Sequence, residues 1–197
     1  MIIKNKVIII FGFSGSGKST LANLIAKKYN LRVIHPSGIL RNLYEQKEID
    51  LSRTKHNEGF WETKKGIKLF KNRLKEKEPL DIISDKILLE EVKKGNVVID
   101  SWNLPWLTNK GIKIYLKANL NERAKRVAKR SNINYFKAVK IIKLKDEETR
   151  KLFRRVYCFD IKNDLNVFDL IVNTTSVNQD EVFNVVCEFL IKKFRNK

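Results

Sequence analysis

The segment Gly12-Phe13-Ser14-Gly15-Ser16-Gly17-Lys18-Ser19 constrains this chain more than any other stretch. It follows an almost wholly apolar run, Lys6 to Phe11, and precedes Ser19 to Asn30, where Leu21, Leu24, Ile25 and Lys28 recur at helical spacing. The run reads as a strand buried on both faces, and the recurrence as an amphipathic helix. The eight residues fit G-x-x-x-x-G-K-S/T, a pattern that chance alone would place in on the order of one per hundred chains of this length. Its position between a strand and a helix gives it meaning. Glycines there let backbone N–H groups turn inward around a phosphate, and the helix N-terminus adds positive potential. Gly12, Phe13, Ser14, Gly15, Ser16, Gly17, Lys18, Ser19 and Thr20 are therefore the candidate ATP-phosphate site, with Lys18 bridging the β- and γ-phosphates and Ser19 ligating Mg²⁺.

Further elements alternate along the chain. Leu31 to Ile34 is a second strand, and Ser37-Gly38 opens a helix to about Glu45. From Gln46 to Lys94 the sequence is charged and mainly helical, with Phe60, Trp61, Ile67, Phe70 and Leu74 as apolar anchors of an insert. Strands follow at Val97–Asp100 and Ile112–Leu116, helices at about Asn121–Arg130 and Tyr135–Tyr157, a fifth strand at Asp169–Asn173 and a closing helix at Gln179–Phe194. Strands alternating with helices over short connections predict an α/β fold, a five-stranded parallel sheet with helices on both faces. Asp100 ends the third strand on the edge where open sheets of this kind bind ligands, so it is the second candidate Mg²⁺ residue, acting through water.

The chain has 197 residues, enough for one self-sufficient domain without disulfides or a structural metal. Cys158 and Cys187 read as buried small apolar residues, His56 as exposed, and two histidines with no C-x-x-C pair argue against zinc. No apolar run approaches the ~20 residues that span a bilayer, and the opening residues lack a leader's cleavage site, so a cytoplasmic chain without a membrane partner is the expectation. The net charge of +19 favours polyanionic partners, RNA among them, and from Thr108 to Arg155 sixteen Lys/Arg stand against four Asp/Glu.

With the loop, the length and the insert in place, the chain resembles the nucleoside monophosphate kinases, most nearly the archaeal-type cytidylate kinases. Besides the loop, the resemblance is carried by Ser37-Gly38-Ile39-Leu40-Arg41, Lys94-Gly95-Asn96-Val97-Val98, Ile114 to Ala118 continuing to Glu122-Arg123-Ala124-Lys125-Arg126, and Phe168 to Thr174. It implies a single P-loop kinase domain over 1–197, with an acceptor-binding insert at roughly 42–94 and a basic lid at roughly 131–157. It implies an ATP donor, Mg²⁺ and a nucleoside monophosphate acceptor, CMP or dCMP; the oligomeric state stays open, with a monomer favoured. Arg126 and Arg130, four apart on one helical face, match the family's paired arginines, one on adenine and one on phosphate. Arg150 and Arg154 match lid arginines that close over the γ-phosphate. Arg41 matches the arginine on the acceptor's phosphate, Gly38 the close approach before it, and Asp81 and Asp85 the acidic pair near the acceptor base.

The departures fall on the acceptor side. Where the family has a Gly-Arg pair after the third strand, this chain has Ser101-Trp102; Ile87-Leu88 replace an Arg-Gln pair, and Lys145 opens the lid in place of arginine. Trp102, Trp106 and Trp61 suit either base stacking beside a basic channel or core packing. Alongside transfer to CMP or dCMP, two readings stay open at this point: a phosphorylated acceptor of another kind, such as an RNA end, and an ATP-dependent binding factor with little turnover.

Overall fold

The computed structural model describes residues 6–46, 59–73, 75–76 and 79–195. In chain order they form β1 (Val7–Phe11), α1 (Lys18–Tyr29), β2 (Arg32–Ile34), α2 (Pro36–Gln46), a 3₁₀ turn at Phe60–Glu62, α3 (Lys64–Asn72), α4 (Leu80–Lys94), β3 (Val97–Asp100), α5 (Leu104–Leu107), β4 (Ile112–Lys117), α6 (Leu120–Ser131), α7 (Tyr135–Tyr157), β5 (Leu170–Asn173) and α8 (Gln179–Arg195). The strands make one parallel sheet in the order β2-β3-β1-β4-β5. β1 is thus central, which is why all five of its residues are buried and apolar.

Alternation along the strands divides the core. Ile8, Ile10, Val98 and Ile114 face Leu21 and Ile25 of α1 and Val186 and Leu190 of α8. Ile9, Val97 and Ile99 point the other way, against Leu88 and Val92 of α4 and Leu104 of α5. At the carboxyl end of β1, Phe11 is enclosed by aromatic rings, with centroids 4.8 Å away at Tyr115, 5.1 Å at Trp106 and 5.3 Å at Phe168. Trp106 is therefore a packing residue, and its indole N–H donates to the Asp164 carbonyl at 2.7 Å. Trp61 packs with Phe60 at 4.8 Å in a smaller cluster that includes Tyr44, Leu69 and Leu80.

The basic stretch folds as a helical hairpin. Asn119 Oδ1 accepts from Glu122 N at 2.8 Å to start α6, Asn134 Oδ1 accepts from Lys137 N at 2.7 Å to start α7, and Asn132 between them is left-handed. Ala124, Val127, Ala138 and Ile142 form the seam between the two helices.

Two details differ from the sequence reading. Cys187 is buried, but Cys158 is exposed, because it ends α7 in the left-handed conformation (φ 59°) and so leaves the packed face of the helix. The four residues of α5 carry no periodic signal; they are started by Ser101, whose hydroxyl accepts from Leu104 N at 3.2 Å, and by Pro105 in the first turn. His56 and Leu74 lie outside the described residues. Among the described residues no helix is long and apolar enough to cross a membrane.

Candidate active site

The loop after β1 turns tightly because two neighbours press on it. A Cβ at Gly12 would lie 2.2 Å from Ser16 Oγ and 2.8 Å from the Leu116 carbonyl, and one at Gly15 (φ +82°) would lie 2.6 Å from the Arg123 carbonyl. The loop is thereby seated on β4 and α6. It is braced at the far side by Thr174, whose hydroxyl donates to the Ser16 carbonyl at 3.2 Å and accepts from Arg126 at 3.1 Å. α1 begins at Lys18 with no side-chain cap and no acidic residue in its first turn, so its leading N–H groups face outward unclaimed by a cap. Ser16 Oγ is buried without a partner. Burial pushes the Lys18 ammonium down to about 8, the charges of Lys145 and Arg130 add to that, and Asp100 works against it. A desolvated cation, a hydroxyl lacking a partner and a bare helix N-terminus together fit a phosphate chain.

The Ser19 hydroxyl donates to Asp100 Oδ2, and Asp100 Oδ1 is 2.9 Å from His35 Nδ1. Asp100 is buried, and its hydrogen bond raises the His35 pKa. Among the described residues no group of three or more His, Cys, Asp or Glu could hold a metal by itself. The hydroxyl and carboxylate fit a hard divalent cation that is shared with phosphate oxygens.

Two cavities open from this point. One, about 530 Å³, is bounded by Gly15, Thr20, Arg126, Thr174 and Val182. The other, about 410 Å³, is bounded by Arg41, Trp61, Asp85, Trp102 and Lys145. Lys18, Ser19 and Arg130 line both. In the second cavity Asp81 is held by Arg73, whose Nε donates at 2.8 Å, and both residues are buried. Asp85 accepts from Asn103 Nδ2 at 2.6 Å and from the Tyr157 hydroxyl. Burial lifts the Asp85 carboxyl to about 7, with the charge of Asp81 adding to the shift and both hydrogen bonds opposing it. Lys145, also buried, donates to Glu62 Oε1 at 2.9 Å, and Arg130 lies 3.3 Å from the same oxygen.

The cytidylate kinase-like family model matches residues 7–176. The chain belongs to that family. It is 33% identical over 187 residues to a cytidylate kinase of Ignicoccus hospitalis, covering 94% of this chain and 99% of that one. It is 32% identical over 189 residues to a cytidylate kinase of Staphylothermus marinus, covering 94% and 97%. Among solved structures, a shikimate kinase from Bacteroides thetaiotaomicron superposes with a TM-score of 0.57 at 16% identity, covering 94% of this chain and 98% of that one, which shows the fold alone. The chain is a nucleoside monophosphate kinase with the parallel α/β architecture of P-loop kinases.

Within this kinase, Gly15 to Thr20 border the first cavity, and Gly12, Phe13 and Ser14 of the same loop do not. Phe13 meets Trp102 edge-on at 5.6 Å, and the Ser14 carbonyl accepts from Arg123 at 3.4 Å. Arg126 faces the first cavity but is fixed to Glu122 at 2.9 Å. Gly38 borders the second, where an added Cβ would meet no protein atom within 4 Å, so the expected close approach is not to protein. Arg41 borders it too, with its Nε 3.1 Å from Glu45. Trp102 stands over Lys18, whose Nζ is 5.5 Å from the ring centroid.

Arg150 and Arg154 line neither cavity; both hold Asp160, whose carboxyl is drawn down to about 2, chiefly by the Arg150 hydrogen bond. The stripe of α7 that faces the second cavity is Lys145, Thr149 and Phe153, which has the same four-residue spacing on a neighbouring face. Glu62, Arg73, Asn103 and Tyr157 carry no sequence signal for this site. His35 carries one: β2 and β3 pair Ile34 with Ile99, so the next residues, His35 and Asp100, stand side by side.

Two outcomes are expected. Lys18→Ala should lower phosphoryl-transfer turnover by about 10²–10³-fold while leaving the melting temperature unchanged or raised, since its charge is desolvated; steady-state kinetics and calorimetry check both. The folded chain holds the Asp85 proton more tightly than the unfolded chain, so protonation stabilises the fold in acid and that contribution is lost as pH rises through about 7. Asp85→Asn should flatten this fall in denaturant midpoint between about pH 5 and about pH 8.

Proposed function

We propose that this kinase transfers the γ-phosphoryl group of ATP, with Mg²⁺, to CMP or dCMP. The observation that carries the reading is the meeting of two cavities at Lys18, Ser19 and Arg130. ATP would take the cavity beside the phosphate loop, and the monophosphate the cavity beneath Trp61 and Trp102. Ser19 and Asp100 would hold Mg²⁺, which supplies charge neutralisation on the phosphates.

In-line transfer between two bound nucleotides needs little covalent chemistry from protein, so the residues contribute position and charge. Lys18 and Arg130 stand where both phosphate chains end and stabilise charge on the transferring group. Arg126 and the loop N–H groups orient the donor. Arg41 takes the acceptor phosphate from the α2 side. Asp85 and Asn103, bonded to each other on the buried wall, offer acceptor and donor atoms of the kind a cytosine edge pairs with. The relatives named cytidylate kinase support the same acceptor.

Coupled ADP release with ATP and Mg²⁺ across CMP, dCMP, UMP, AMP and GMP tests this. Strong stimulation by CMP or dCMP is the expected result, and stimulation by another monophosphate alone would overturn the cytosine assignment.

A second reading concerns a partner rather than the reaction. Residues 123–145 hold nine Lys/Arg and no carboxylate. Lys125 and Lys129 of α6 and Lys140 and Lys143 of α7 are exposed, beside a Phe136 that is 76% exposed. A basic face with an exposed aromatic ring suits single-stranded RNA. Filter binding of a short RNA should then weaken by about three powers of ten or more for a tenfold rise in salt, a slope set by about five or more phosphates, and a flat salt response would exclude it.

A further inference from the structure

Glu62 is a buried carboxylate facing the junction where the proposed transfer occurs. Its side chain is 3% exposed, and one oxygen lies 2.9 Å from Lys145 Nζ and 3.3 Å from an Arg130 nitrogen. These two cations come from the α6–α7 hairpin, whereas Glu62 ends the 3₁₀ turn of the insert. The other carboxylates on this cavity have partners of their own: Asp81 has Arg73, Asp85 has Asn103 and Tyr157, and Asp100 has Ser19 and His35. Glu62 is the carboxylate applied to the cations at the crossing of the two cavities.

The chain is shaped to place it there. A Cβ at Gly59 would lie 2.1 Å from the second Glu62 oxygen, so the carboxylate turns inward over a residue that has no side chain. Two nitrogen donors converging on one oxygen is also how a phosphate oxygen is held. Lys18, Arg130 and Lys145 line the same cavity, so the three cations share one field and repel one another unless an anion lies among them.

We infer that Glu62 is an internal anion that occupies Lys145 and Arg130 in the empty enzyme and yields them to the transferring phosphate. This rests on the two-nucleotide reading above and adds a regulatory step to it. The exchange of one anion for another keeps the cations neutralised throughout. It also releases the tie between the insert and the hairpin when the γ-phosphate arrives, so the cleft senses loading. Glu62 is a positioning residue here, since it acts through the two cations.

The test compares an ATP analogue with a nitrogen bridge between its β- and γ-phosphates against ADP, by calorimetry, in the wild type and in Glu62→Gln. Removing the competing charge should tighten the analogue by about tenfold and leave ADP unchanged, because only the analogue carries the γ-phosphate. An equal change in both affinities, or a weaker analogue, overturns the inference and leaves Glu62 a structural clamp. Wild-type binding of neither nucleotide would instead overturn the donor site itself and this inference with it. Should Glu62→Gln fail to fold, tryptophan emission decides. Trp102 stands over Lys18 and would report the γ-phosphate by itself, so the reporter is a Trp102→Phe background, in which the emission should respond to the analogue more than to ADP through Trp61, the neighbour of Glu62. Adding Trp61→Phe should abolish that difference; an identical response to both nucleotides in the Trp102→Phe background, or a difference that survives the added Trp61→Phe, overturns the inference.

Discussion

Like-charge repulsion at the carboxyl end of the central strand is the constraint on which the rest of this molecule depends. Lys18, Arg123, Arg126, Arg130 and Lys145 converge on the phosphate loop and its two cavities. Three of these cations are each paired with a carboxylate: Arg123 with Asp146, Arg126 with Glu122, and Lys145 with Glu62. Lys18 is balanced only through space, by Asp100 and Asp146 against burial. Such a charge is costly without an anion, and the cost is the potential that draws a phosphate in. The apolar sheet beneath has to be rigid enough to hold the cations at this separation, and a central strand buried on every residue meets that need.

The donor half was legible because its determinants are local. A run of apolar residues, a glycine turn and an amphipathic helix lie within Lys6 to Asn30, and their conformations follow from period and spacing alone. The same is true of the alternation that gave the five strands and of the long helix Tyr135–Tyr157. The acceptor half was less legible because its determinants are long-range pairs: Lys145 with Glu62, Tyr157 with Asp85, and Arg123 with Asp146. Spacing shows which residues of a helix share a face, but not which face meets the site. Arg150 and Arg154 do share one, and it meets Asp160; the stripe through Lys145, one position around the helix, meets the cavity. Cys158 shows the same limit at smaller scale, since composition suggests burial while a left-handed helix end puts it outside.

Trp102 and Ser101 connect the two halves. The serine hydroxyl accepts from Leu104 N at the start of a short helix that buries Leu104 on the sheet, and Asn103 beside it donates to Asp85. A tryptophan beside it brings a ring over Lys18 where an arginine would bring a second charge. A ring face stabilises an ammonium without neutralising it. The replacement therefore leaves one cation fewer in a crowded field and sets a ring face against Lys18. Lys145 in place of a lid arginine acts in the same direction, because a compact ammonium can be satisfied by the single carboxylate of Glu62 where a guanidinium fork would demand a bidentate partner. The substitutions on the acceptor side thus form one electrostatic solution: fewer fixed forks, one aromatic shield and one internal carboxylate, arranged around a donor loop that the local sequence alone is enough to build.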